Sequence, residues 1–383
     1  MKIVLVAGEA SGDLLGANLL AGLRQQFPRL VALGVGGSRM RLQGLQGPFD
    51  VNDLSVIGLV EVVRRLPRLH QVFSYLVNLL HQEKPDLLLT IDLPDFNFLL
   101  AGRAKRLGIP VIHYVSPQVW AWRRQRVWRI ARLVDHLLVL FPFEPQYYAK
   151  TGLPVTFVGH PLVDQIRNHR PRDVIRQELG ITPNQLLVTL LPGSRSSEIT
   201  RLLPVMAQAC HRVSLAQPHC RFALALAETL TRETIQQYWP AATQLTLTIR
   251  QGMTHDLLVA ADVALVASGT ATLEAALLQT PMVVVYRVNR LTYEIGRHVI
   301  QVPFISLANL VAGYAVVPER IQDDANPERL ADDLLKLLTD PRANQQMRHD
   351  LGILHTHLAP PVHGAAHVVA DFLRQRTLKK KVD

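Results

Sequence analysis

Small polar residues follow a buried strand in the second half of the chain. Ser268, Gly269 and Thr270 come directly after the wholly apolar run at 263–267. The helical pattern that follows carries Glu274 in its first turn. Exposed N–H groups at a helix start favour an anion, and a carboxylate one turn along can accept hydrogen bonds from the hydroxyls of a sugar. The alternative is structural, with the hydroxyls as caps and the carboxylate complementing the helix dipole.

A second loop of this kind follows the apolar strand at 186–191. It contains Gly193, Ser194 and Arg195 and leads into a helical pattern. Backbone donors at a helix entrance, together with an arginine that can bind in bidentate fashion, suit a diphosphate. The alternative is that Arg195 is an ordinary surface residue.

Two carboxylates stand three residues apart at the end of the apolar strand at 87–91. Asp92 and Asp95 precede or begin a helical pattern in which Asn97 also lies. Enzymes with open α/β sheets keep acid–base groups at the carboxyl ends of strands, so Asp92 is a candidate general base. Asp95 is equally a candidate helix N-cap, whereas Asp92 is harder to explain in that way.

The chain opens with a strand at 2–7 and a glycine-containing turn. The turn includes Gly8, Ser11, Gly12 and Asp13. No lysine follows the second glycine, as a P-loop requires, and the spacing is not Gly-x-Gly-x-x-Gly. The turn therefore predicts only that a substrate comes close to the backbone between this strand and the next helix.

Aromatic and basic residues alternate after the strand at 111–115. Trp120 and Trp122 stand beside arginines that continue to Arg132. Such a cluster is compatible with nucleic acid, with a sugar site or with the packing of a loop. One cluster in 383 residues gives a nucleic-acid function little support.

The segment at 68–80 has the periodicity of an amphipathic helix, with Pro67 predicted in its first turn. Its broad apolar face predicts a helix packed on a sheet. The alternative is a patch of apolar and basic side chains that rests on an anionic bilayer. The side chains of that patch would include Arg64, Arg65, Arg68, Val72, Phe73 and Leu76.

The composition limits the class of protein. A chain of 383 residues is too long for one ordinary core and predicts two domains. The formal charge of +10 indicates anionic partners, such as nucleic acid, phosphorylated substrates or an acidic membrane surface. Cys210 and Cys220 imply neither a disulfide framework nor a zinc cluster, and they fit a reducing compartment. We expect no signal peptide and no membrane span.

Strand and helix patterns alternate through both halves and predict an α/β fold with two Rossmann-like, doubly wound domains. A segment at 167–173, rich in Arg, Pro and Asn, is the predicted linker. We expect one domain at 1–168, completed by the C-terminal helix at about 358–383, and a second at 169–357. Residues 300–305 are predicted to form a strand, and 306–310 a polar loop.

Eight motifs carry a resemblance to a known family. In chain order they are GEASGD, VIGLVEV, IDLPDFN, HYVSPQVWAWR, FVGHPLVD, LLPGSR, ASGTATLE and PMVVVYR. Together they span nearly the whole chain and resemble the lipid-A-disaccharide synthase family. The resemblance implies the GT-B architecture, with a cleft between two Rossmann-like domains, an acceptor in the N-terminal half and a UDP-sugar in the C-terminal half. The sequence departs from the family at Ala308, where the family commonly has proline.

The resemblance also implies a reaction: inverting transfer of 2,3-diacylglucosamine from its UDP ester to 2,3-diacylglucosamine 1-phosphate, which forms a β-1,6 disaccharide and releases UDP. In family terms Asp92 matches the proposed general base, Arg195 the essential arginine and Glu274 a ribose contact. The residues expected on the UDP-sugar side are Gly193, Ser194, Ser268, Gly269, Thr270, Glu274 and Arg287. Those expected on the acceptor side are Gly8, Ser11, Gly12, Asp13, Asp95, Asn97 and Trp120.

Inversion needs a single in-line displacement, so one base and charge stabilisation on the leaving diphosphate suffice. The sequence contains no Asp-x-Asp pair, so we expect no obligatory metal and no cofactor. The expected partners are UDP-diacylglucosamine, diacylglucosamine 1-phosphate and a membrane surface, with no nucleic acid and with a homodimer as one possible assembly. The expected location is the cytoplasm, peripherally on the inner face of the cytoplasmic membrane.

Two alternative functions stay open at this point. One is another sugar-nucleotide enzyme of the same architecture, such as a cell-wall N-acetylglucosaminyltransferase or a UDP-N-acetylglucosamine 2-epimerase. The other is a basic, non-catalytic protein that binds nucleic acid or membrane.

Overall fold

The computed structural model describes residues 1–54, 59–121, 124–239, 245–300, 302–360 and 364–382. The chain divides into two compact units: unit 1 comprises Met1–Pro161 with Pro360–Asp383, and unit 2 comprises Leu162–Ala359. The predicted linker at 167–173 lies inside unit 2. There Arg170 and Arg172 form ion pairs with Asp256 and Asp262, which tie the segment to that unit.

Unit 1 contains a parallel sheet with helices around it. Its strands are β1 (Lys2–Ala7), β2 (Val31–Val35), β3 (Leu45–Gln46), β4 (Leu87–Ile91), β5 (Val111–Tyr114), β6 (His136–Val139) and β7 (Val155–Phe157). Its helices are α1 (Ala10–Gln26), α2 (Ser38–Leu42), α3 (Leu59–Glu83), α4 (Pro94–Arg106), α5 (Arg126–Leu133), α6 (Pro145–Tyr148) and, at the C-terminal end, α17 (Ala365–Val382). The order of the strands is β3-β2-β1-β4-β5-β6-β7.

Unit 2 contains a second parallel sheet. Its strands are β8 (Leu186–Leu191), β9 (Cys220–Leu226), β10 (Leu247–Gln251), β11 (Val263–Ala267), β12 (Met282–Tyr286) and β13 (Glu319–Ile321). Its helices are α7 (Leu162–Ile166), α8 (Arg172–Glu178), α9 (Ser196–Ala216), α10 (Arg232–Tyr238), α11 (Thr254–Ala260), α12 (Thr270–Leu277), α13 (Arg290–Val299), α14 (Leu307–Ala312), α15 (Pro327–Thr339) and α16 (Pro341–Leu358). The order of the strands is β10-β9-β8-β11-β12-β13.

The central strands of both sheets are continuous apolar runs. Every residue of β4 and of β11 is buried. A strand buried on both faces is the signature of a parallel sheet covered by helices on each side. The predicted fold class, α/β with two Rossmann-like domains, is therefore confirmed.

Each sheet has one position at which the strand order reverses. In unit 1, β1 pairs with β2 on one side and with β4 on the other. In unit 2, β8 pairs with β9 on one side and with β11 on the other. Ligands of open α/β sheets bind outside the carboxyl ends of the strands at such switch points. The loops after β1, β4, β8 and β11 are therefore the expected ligand sites.

The helix predicted at 68–80 is longer than the sequence pattern indicated. Helix α3 extends from Leu59 to Glu83, and Pro67 lies inside it rather than in its first turn. A proline inside a helix lacks the N–H that would bond to the carbonyl four residues earlier, so it weakens the helix locally without ending it here. Val72 and Leu76 are fully buried in the core of unit 1. The interpretation of this face as a membrane patch is therefore wrong at Val72 and Leu76, where the packed-helix interpretation is correct.

Two shorter predictions also fail. No strand is present at 300 or at 302–305, the part of that segment that the structure describes. The predicted polar loop at 306–310 is mostly helix α14, which Ser306 caps by accepting the backbone N–H of Asn309. Ala308 is the second residue of this helix, a position in the first turn that also tolerates the proline common in the family.

No helix within the described ranges is long and apolar enough to cross a membrane. Several predictions fall outside these ranges: the start of the VIGLVEV motif at 56–58, Trp122 and Arg123. The side chain of Arg64 is also outside what the structure describes.

Candidate active site

The turn after β4 has an unusual backbone. Asp92 and Leu93 have φ values of +52° and +45°, in the left-handed region that residues other than glycine seldom adopt. Val115, at the end of the neighbouring strand β5, has a φ of +77°. Such conformations cost free energy and cluster at functional sites, where the surrounding structure enforces them.

Asn97 holds this turn in place from inside the protein. Its buried side-chain amide donates to the backbone carbonyl of Asp92 at 2.7 Å and to that of Ile91 at 3.3 Å. In addition, the backbone N–H of Asp92 donates to the carbonyl of Tyr114 at 2.9 Å. The predicted site residue Asn97 therefore fixes the backbone that carries the Asp92 carboxylate.

The carboxyl group of Asp92 is half-buried at the switch point. Burial raises its pKa, and a hydrogen bond from the backbone N–H of Leu93 lowers it to a smaller extent. Glu9, in the turn after β1, also has a raised pKa because of partial burial and because the Asp92 carboxylate is nearby. Two interacting carboxyl groups with raised pKa values favour proton transfer. We did not select Glu9 from the sequence, although its place after the first strand is a usable signal.

The glycine turn after β1 is shaped by close packing. A Cβ atom at Gly8 would lie 2.5 Å from Cδ2 of Leu93, so only glycine fits there. A Cβ at Gly12 would lie at an ordinary 3.4 Å from that of Ala7. Ser11 is exposed at the start of α1. The close approach at Gly8 is thus to the Asp92–Leu93 turn.

Asp13 has a structural place in this turn. Its carboxylate is buried and accepts backbone N–H groups from Gly37 at 2.8 Å, Met40 at 3.0 Å and Arg39 at 3.1 Å. These donors belong to the start of α2, so Asp13 holds that helix against α1. All three hydrogen bonds reach more than twenty residues along the chain, so the sequence pattern gives no sign of them.

Asp95 and Trp120 differ in exposure, because Asp95 is exposed and Trp120 is buried. Asp95 is exposed in the first turn of α4 and forms an ion pair with Arg126 at 2.6 Å. It is not the N-cap, because Leu93 occupies that position and Pro94 begins the helix. The ring of Trp120 is buried and makes an edge contact with Phe143. Asp95 therefore joins α4 to α5, and Trp120 belongs to the packing of unit 1.

In unit 2 a cavity of about 390 Å³ lies at the switch point between β8 and β11. It brings together two loops that are about seventy residues apart in the chain. The predicted site residues that line it are Gly193, Ser194, Arg195, Ser268, Gly269, Thr270 and Glu274. Glu198 and Thr254, which we did not select from the sequence, line it as well.

Glu198 changes the chemistry expected of the first loop. Its carboxylate accepts the backbone N–H groups of Ser194 at 2.8 Å and of Arg195 at 3.2 Å. Gly193 allows the loop to lie this close to Glu198. Its φ is +112°, which side chains rarely adopt, and a Cβ at this position would lie 2.2 Å from the Glu198 carboxylate. The backbone donors expected to hold a diphosphate are therefore bonded to a carboxylate of the same chain. The guanidinium of Arg195 remains largely exposed at the cavity.

The second loop presents the start of α12. Gly269 is the N-cap and has no side chain with which to satisfy the first N–H groups of the helix. The hydroxyl of Ser268 donates to the carbonyl of Ile305 at 2.8 Å, which fixes the loop. This helix start is consequently open to an anion in the cavity.

Glu274 lies opposite a histidine. Its carboxylate is 3.6 Å from Nε2 of His255. The pKa of His255 is raised, mainly by Glu274, against the opposing effect of burial. A carboxylate held by an imidazole at a cavity wall can accept hydrogen bonds from ligand hydroxyls.

Arg287 does not line this cavity. It lies after β12, and its Nε donates to the carbonyl of Gln322 at 3.1 Å. Its contacts are therefore structural, although it belongs to the same sheet edge. Among the described residues, no group of three or more His, Cys, Asp or Glu side chains is arranged to hold a metal ion.

The motifs at both switch points lead to a comparison with known proteins. The model of the family described as lipid-A-disaccharide synthetase matches residues 3–359. This chain belongs to that family. Its sequence is 46% identical over 340 residues to the lipid-A-disaccharide synthase of Azotobacter vinelandii, covering 88% of this chain and 90% of that protein. It is 41% identical over 380 residues to that of Geobacter metallireducens, covering 99% of this chain and 98% of that protein.

Solved structures show the same fold at low sequence identity. A putative UDP-N-acetylglucosamine 2-epimerase from Listeria monocytogenes is 14% identical, with a TM-score of 0.62 and coverage of 93% of this chain and 94% of that chain. The calicheamicin glycosyltransferase is 13% identical, with a TM-score of 0.59 and coverage of 98% of both chains. This chain therefore shares its fold with glycosyltransferases and epimerases.

In this member of the lipid-A-disaccharide synthetase family, the loops that the sequence predicts to carry the chemistry lie at the two switch points of the sheets. In unit 1 Gly8 packs on Leu93, the residue after Asp92, and in unit 2 seven predicted residues line one cavity. Asp13 and Arg287 make structural contacts instead. The catalytic and binding roles of all these residues remain predictions.

Proposed function

We propose that the chain transfers 2,3-diacylglucosamine from its UDP ester to the 6-hydroxyl of 2,3-diacylglucosamine 1-phosphate. The products are a β-1,6-linked disaccharide 1-phosphate and UDP. The observation that carries this proposal is the coincidence of the family's motifs with both switch points: IDLPDFN at the first sheet, and LLPGSR with ASGTATLE at the second.

The proposed base is Asp92. Its strained turn is held by Asn97, which bonds to the backbone carbonyl of Asp92, so the backbone that carries the carboxylate is fixed. Burial raises its pKa, and a stronger base takes a proton from a hydroxyl more readily in the transition state. Glu9, whose pKa is raised in part by the Asp92 carboxylate, interacts electrostatically with this base.

The proposed leaving-group side is the cavity of unit 2. There the exposed guanidinium of Arg195 is suited to balance the charge that develops on UDP. The open start of α12 supplies further donors for phosphate oxygens. Glu274, held near His255, is suited to accept from ribose hydroxyls. The Arg195 cation and these donors support a displacement without an obligatory metal ion.

We also propose that the protein acts as a peripheral protein at the inner face of the cytoplasmic membrane. Its substrates carry acyl chains, and the net charge of +10 favours an anionic leaflet. The surface that supports docking is on α13 and just beyond it. Ile295, Val299 and Ile300 are 59%, 44% and 46% exposed, and Arg290 and Arg297 are exposed on the same helix. Such an amphipathic helix suits a bilayer interface.

The test of the reaction is product analysis. The purified protein is incubated with UDP-2,3-diacylglucosamine and 2,3-diacylglucosamine 1-phosphate, and lipids are identified by mass spectrometry. We expect the disaccharide 1-phosphate and UDP in equal amounts. Release of UDP without disaccharide, or epimerisation of the donor sugar, would contradict the proposal.

A further inference from the structure

A second cavity, of about 410 Å³, lies on unit 1 between α5 and the α6 region. Its lining combines two cations, two aromatic rings and two side-chain amides: Arg124, Lys150, Trp128, Tyr147, Gln125 and Gln146. No carboxylate is among the described residues that line it. The reaction proposed above uses none of these side chains.

The walls of this cavity are firmly placed. Val127 and Ile130 are buried in the core of unit 1, which fixes α5 and directs Trp128 outward, where it is 50% exposed. The guanidinium of Arg124 lies over the ring of Tyr147, with 5.5 Å between the carbon of the guanidinium and the ring centre. A cation that rests on an aromatic ring has a restricted orientation. The cavity therefore presents its charge in a defined place.

The chemistry of the lining indicates the ligand. An arginine and a lysine in one cavity favour a phosphate group, because an arginine binds its oxygens in bidentate fashion and a lysine adds a point charge. The amides of Gln125 and Gln146 can bond to hydroxyl groups. An exposed indole beside cations is suited to the boundary between polar headgroups and acyl chains.

We propose that this cavity binds the phosphate-bearing headgroup of an amphiphile. The shared chemistry is a phosphate on a hydroxylated headgroup, and two sources supply it: the sugar phosphate of an acylated acceptor, or an anionic phospholipid of the bilayer. The binding itself does not depend on the proposed reaction.

The position in the fold supports this assignment. The loops that form the cavity follow the carboxyl ends of β5 and β6, and Arg126 at the start of α5 forms an ion pair with Asp95, three residues after Asp92. A headgroup held here is consequently at the sheet edge that carries the proposed base. A nucleic acid is less well matched, because a strand needs a continuous basic track with successive stacking rings, whereas this is one separate pocket that opens to the surface.

The experiment uses the full chain and two charge-matched double variants. Arg124→Gln with Lys150→Gln removes both cations of the cavity. Arg129→Gln with Arg132→Gln removes the same charge from exposed positions of α5 that do not line the cavity. Binding is measured with glucosamine 1-phosphate and with glucosamine by calorimetry, and by sedimentation with vesicles of phosphatidylcholine alone or mixed equally with phosphatidylglycerol. Circular dichroism verifies that the variants are folded.

We expect the cavity variant to bind at least one phosphate probe about tenfold more weakly, and the control variant to bind like the parent. Selective loss of glucosamine 1-phosphate binding identifies a sugar phosphate as the ligand, and selective loss of sedimentation with phosphatidylglycerol identifies a phospholipid. Equal losses in both variants, no loss in either, or a selective loss only for a single-stranded oligonucleotide would overturn the proposal. If the double variant does not fold, the single variant Lys150→Gln is compared with the parent and the control variant in the same binding measurements.

Discussion

The carboxylate of Glu198 accepts the backbone N–H of Arg195 at 3.2 Å and lies 3.8 Å from the guanidinium of the same residue. The same carboxylate accepts the N–H of Ser194. The loop after β8 thus already binds an anion, which belongs to the first turn of α9. A side chain at this position that bonds back to the N-cap backbone stabilises the helix start. A diphosphate in the cavity would meet the Arg195 side chain first.

This arrangement predicts the effect of Gly193→Ala. The new Cβ would lie 2.2 Å from the Glu198 carboxylate, at a φ of +112° that side chains rarely adopt. The loop has to open, and we expect a loss of UDP affinity of at least about tenfold, together with a lower melting temperature. Calorimetry with UDP and thermal unfolding provide the measurements.

Gly180→Ala is the matched control for this variant. Gly180 has a φ of +69°, but no atom lies within 4 Å of its would-be Cβ, and it does not line the cavity. It should lose some stability and keep its affinity for UDP. Equal affinity losses in the two variants would show that general strain, not the contact with Glu198, is responsible.

Arg195 is the cation expected to act on the leaving group. Arg195→Ala should lower kcat by about 100-fold or more, because a charge that stabilises the transition state is lost. Arg201→Ala removes a cation from helix α9, which begins directly after Arg195. Arg201 does not line the cavity, so this variant should have a small effect on kcat. The parent enzyme should keep its activity in EDTA. Inhibition by EDTA that Mg²⁺ reverses would refute the idea that Arg195 takes the place of a metal ion.

The sequence predicts the regular part of this fold well. The strands at 2–7, 87–91, 186–191 and 263–267 have the same bounds in the structure, because uninterrupted apolar runs between glycine turns have one good solution in a parallel sheet. The start of α3 is different. Pro67 indicates a first turn by local preference, but helix α3 already begins at Leu59, and local preference alone does not reveal that start.

The site is less predictable for a physical reason. Gly193, Ser268 and Glu274 are visible because they belong to local patterns at strand ends. The bonds of Asp13 to the start of α2, the Glu198 carboxylate on the loop N–H groups and the packing of Leu93 on Gly8 depend on how the chain folds back. A residue's type and spacing identify the edge on which it lies, but not which partner it meets there.

Asp92→Asn tests the proposed base. An amide cannot take the proton, so we expect kcat to fall by at least about 100-fold while the fold and substrate affinity are kept. In the parent, activity should rise with pH through the raised pKa of Asp92, since only the ionised form is a base. Asp95→Asn, at the exposed partner of Arg126, should have a much smaller effect. A larger fall in kcat for Asp95→Asn than for Asp92→Asn would instead identify Asp95 as the base.

Glu144 predicts a pH dependence of stability. Burial raises the pKa of this carboxyl group to about 7, although the N–H groups of Phe141 and Leu140 and the indole of Trp120 oppose this effect. The folded state holds this proton more tightly than the unfolded state does. Protonation of Glu144 therefore contributes to the free energy of unfolding at low pH, and this contribution is lost as the pH rises from about 4.5 to about 7. A tenfold difference in proton affinity between the folded and unfolded states corresponds to about 1.4 kcal/mol in the free energy of unfolding.

Glu144→Gln removes this titration and keeps an oxygen that can accept both N–H groups. Between pH 5 and pH 8, roughly the range over which the folded protein loses this proton, the parent should therefore lose unfolding free energy relative to the variant. Urea unfolding of both proteins at these two pH values measures the difference. A difference between parent and variant that does not change with pH would contradict the raised pKa.

The last prediction concerns the surface that meets the membrane. Val72 and Leu76 have no exposed area, so Val72→Ser with Leu76→Ser should destabilise unit 1 by several kcal/mol and report on folding only. Ile295 and Val299 lie one turn apart on the exposed face of α13. Ile295→Ser with Val299→Ser should leave the melting temperature nearly unchanged and weaken sedimentation with anionic vesicles, because the helix loses the apolar area that would enter the interface.

Val174→Ser with Leu215→Ser is the matched control, since both side chains are exposed on other helices of unit 2, at 44% and 71%. It should sediment with vesicles like the parent. Turnover of long-chain substrates should fall in the α13 variant more than turnover of short-chain analogues, because only the long chains have to be taken from a bilayer. If the α13 variant is folded and still sediments and turns over like the parent, docking through α13 is wrong, and the exposed Trp128 face of α5 becomes the next surface to test.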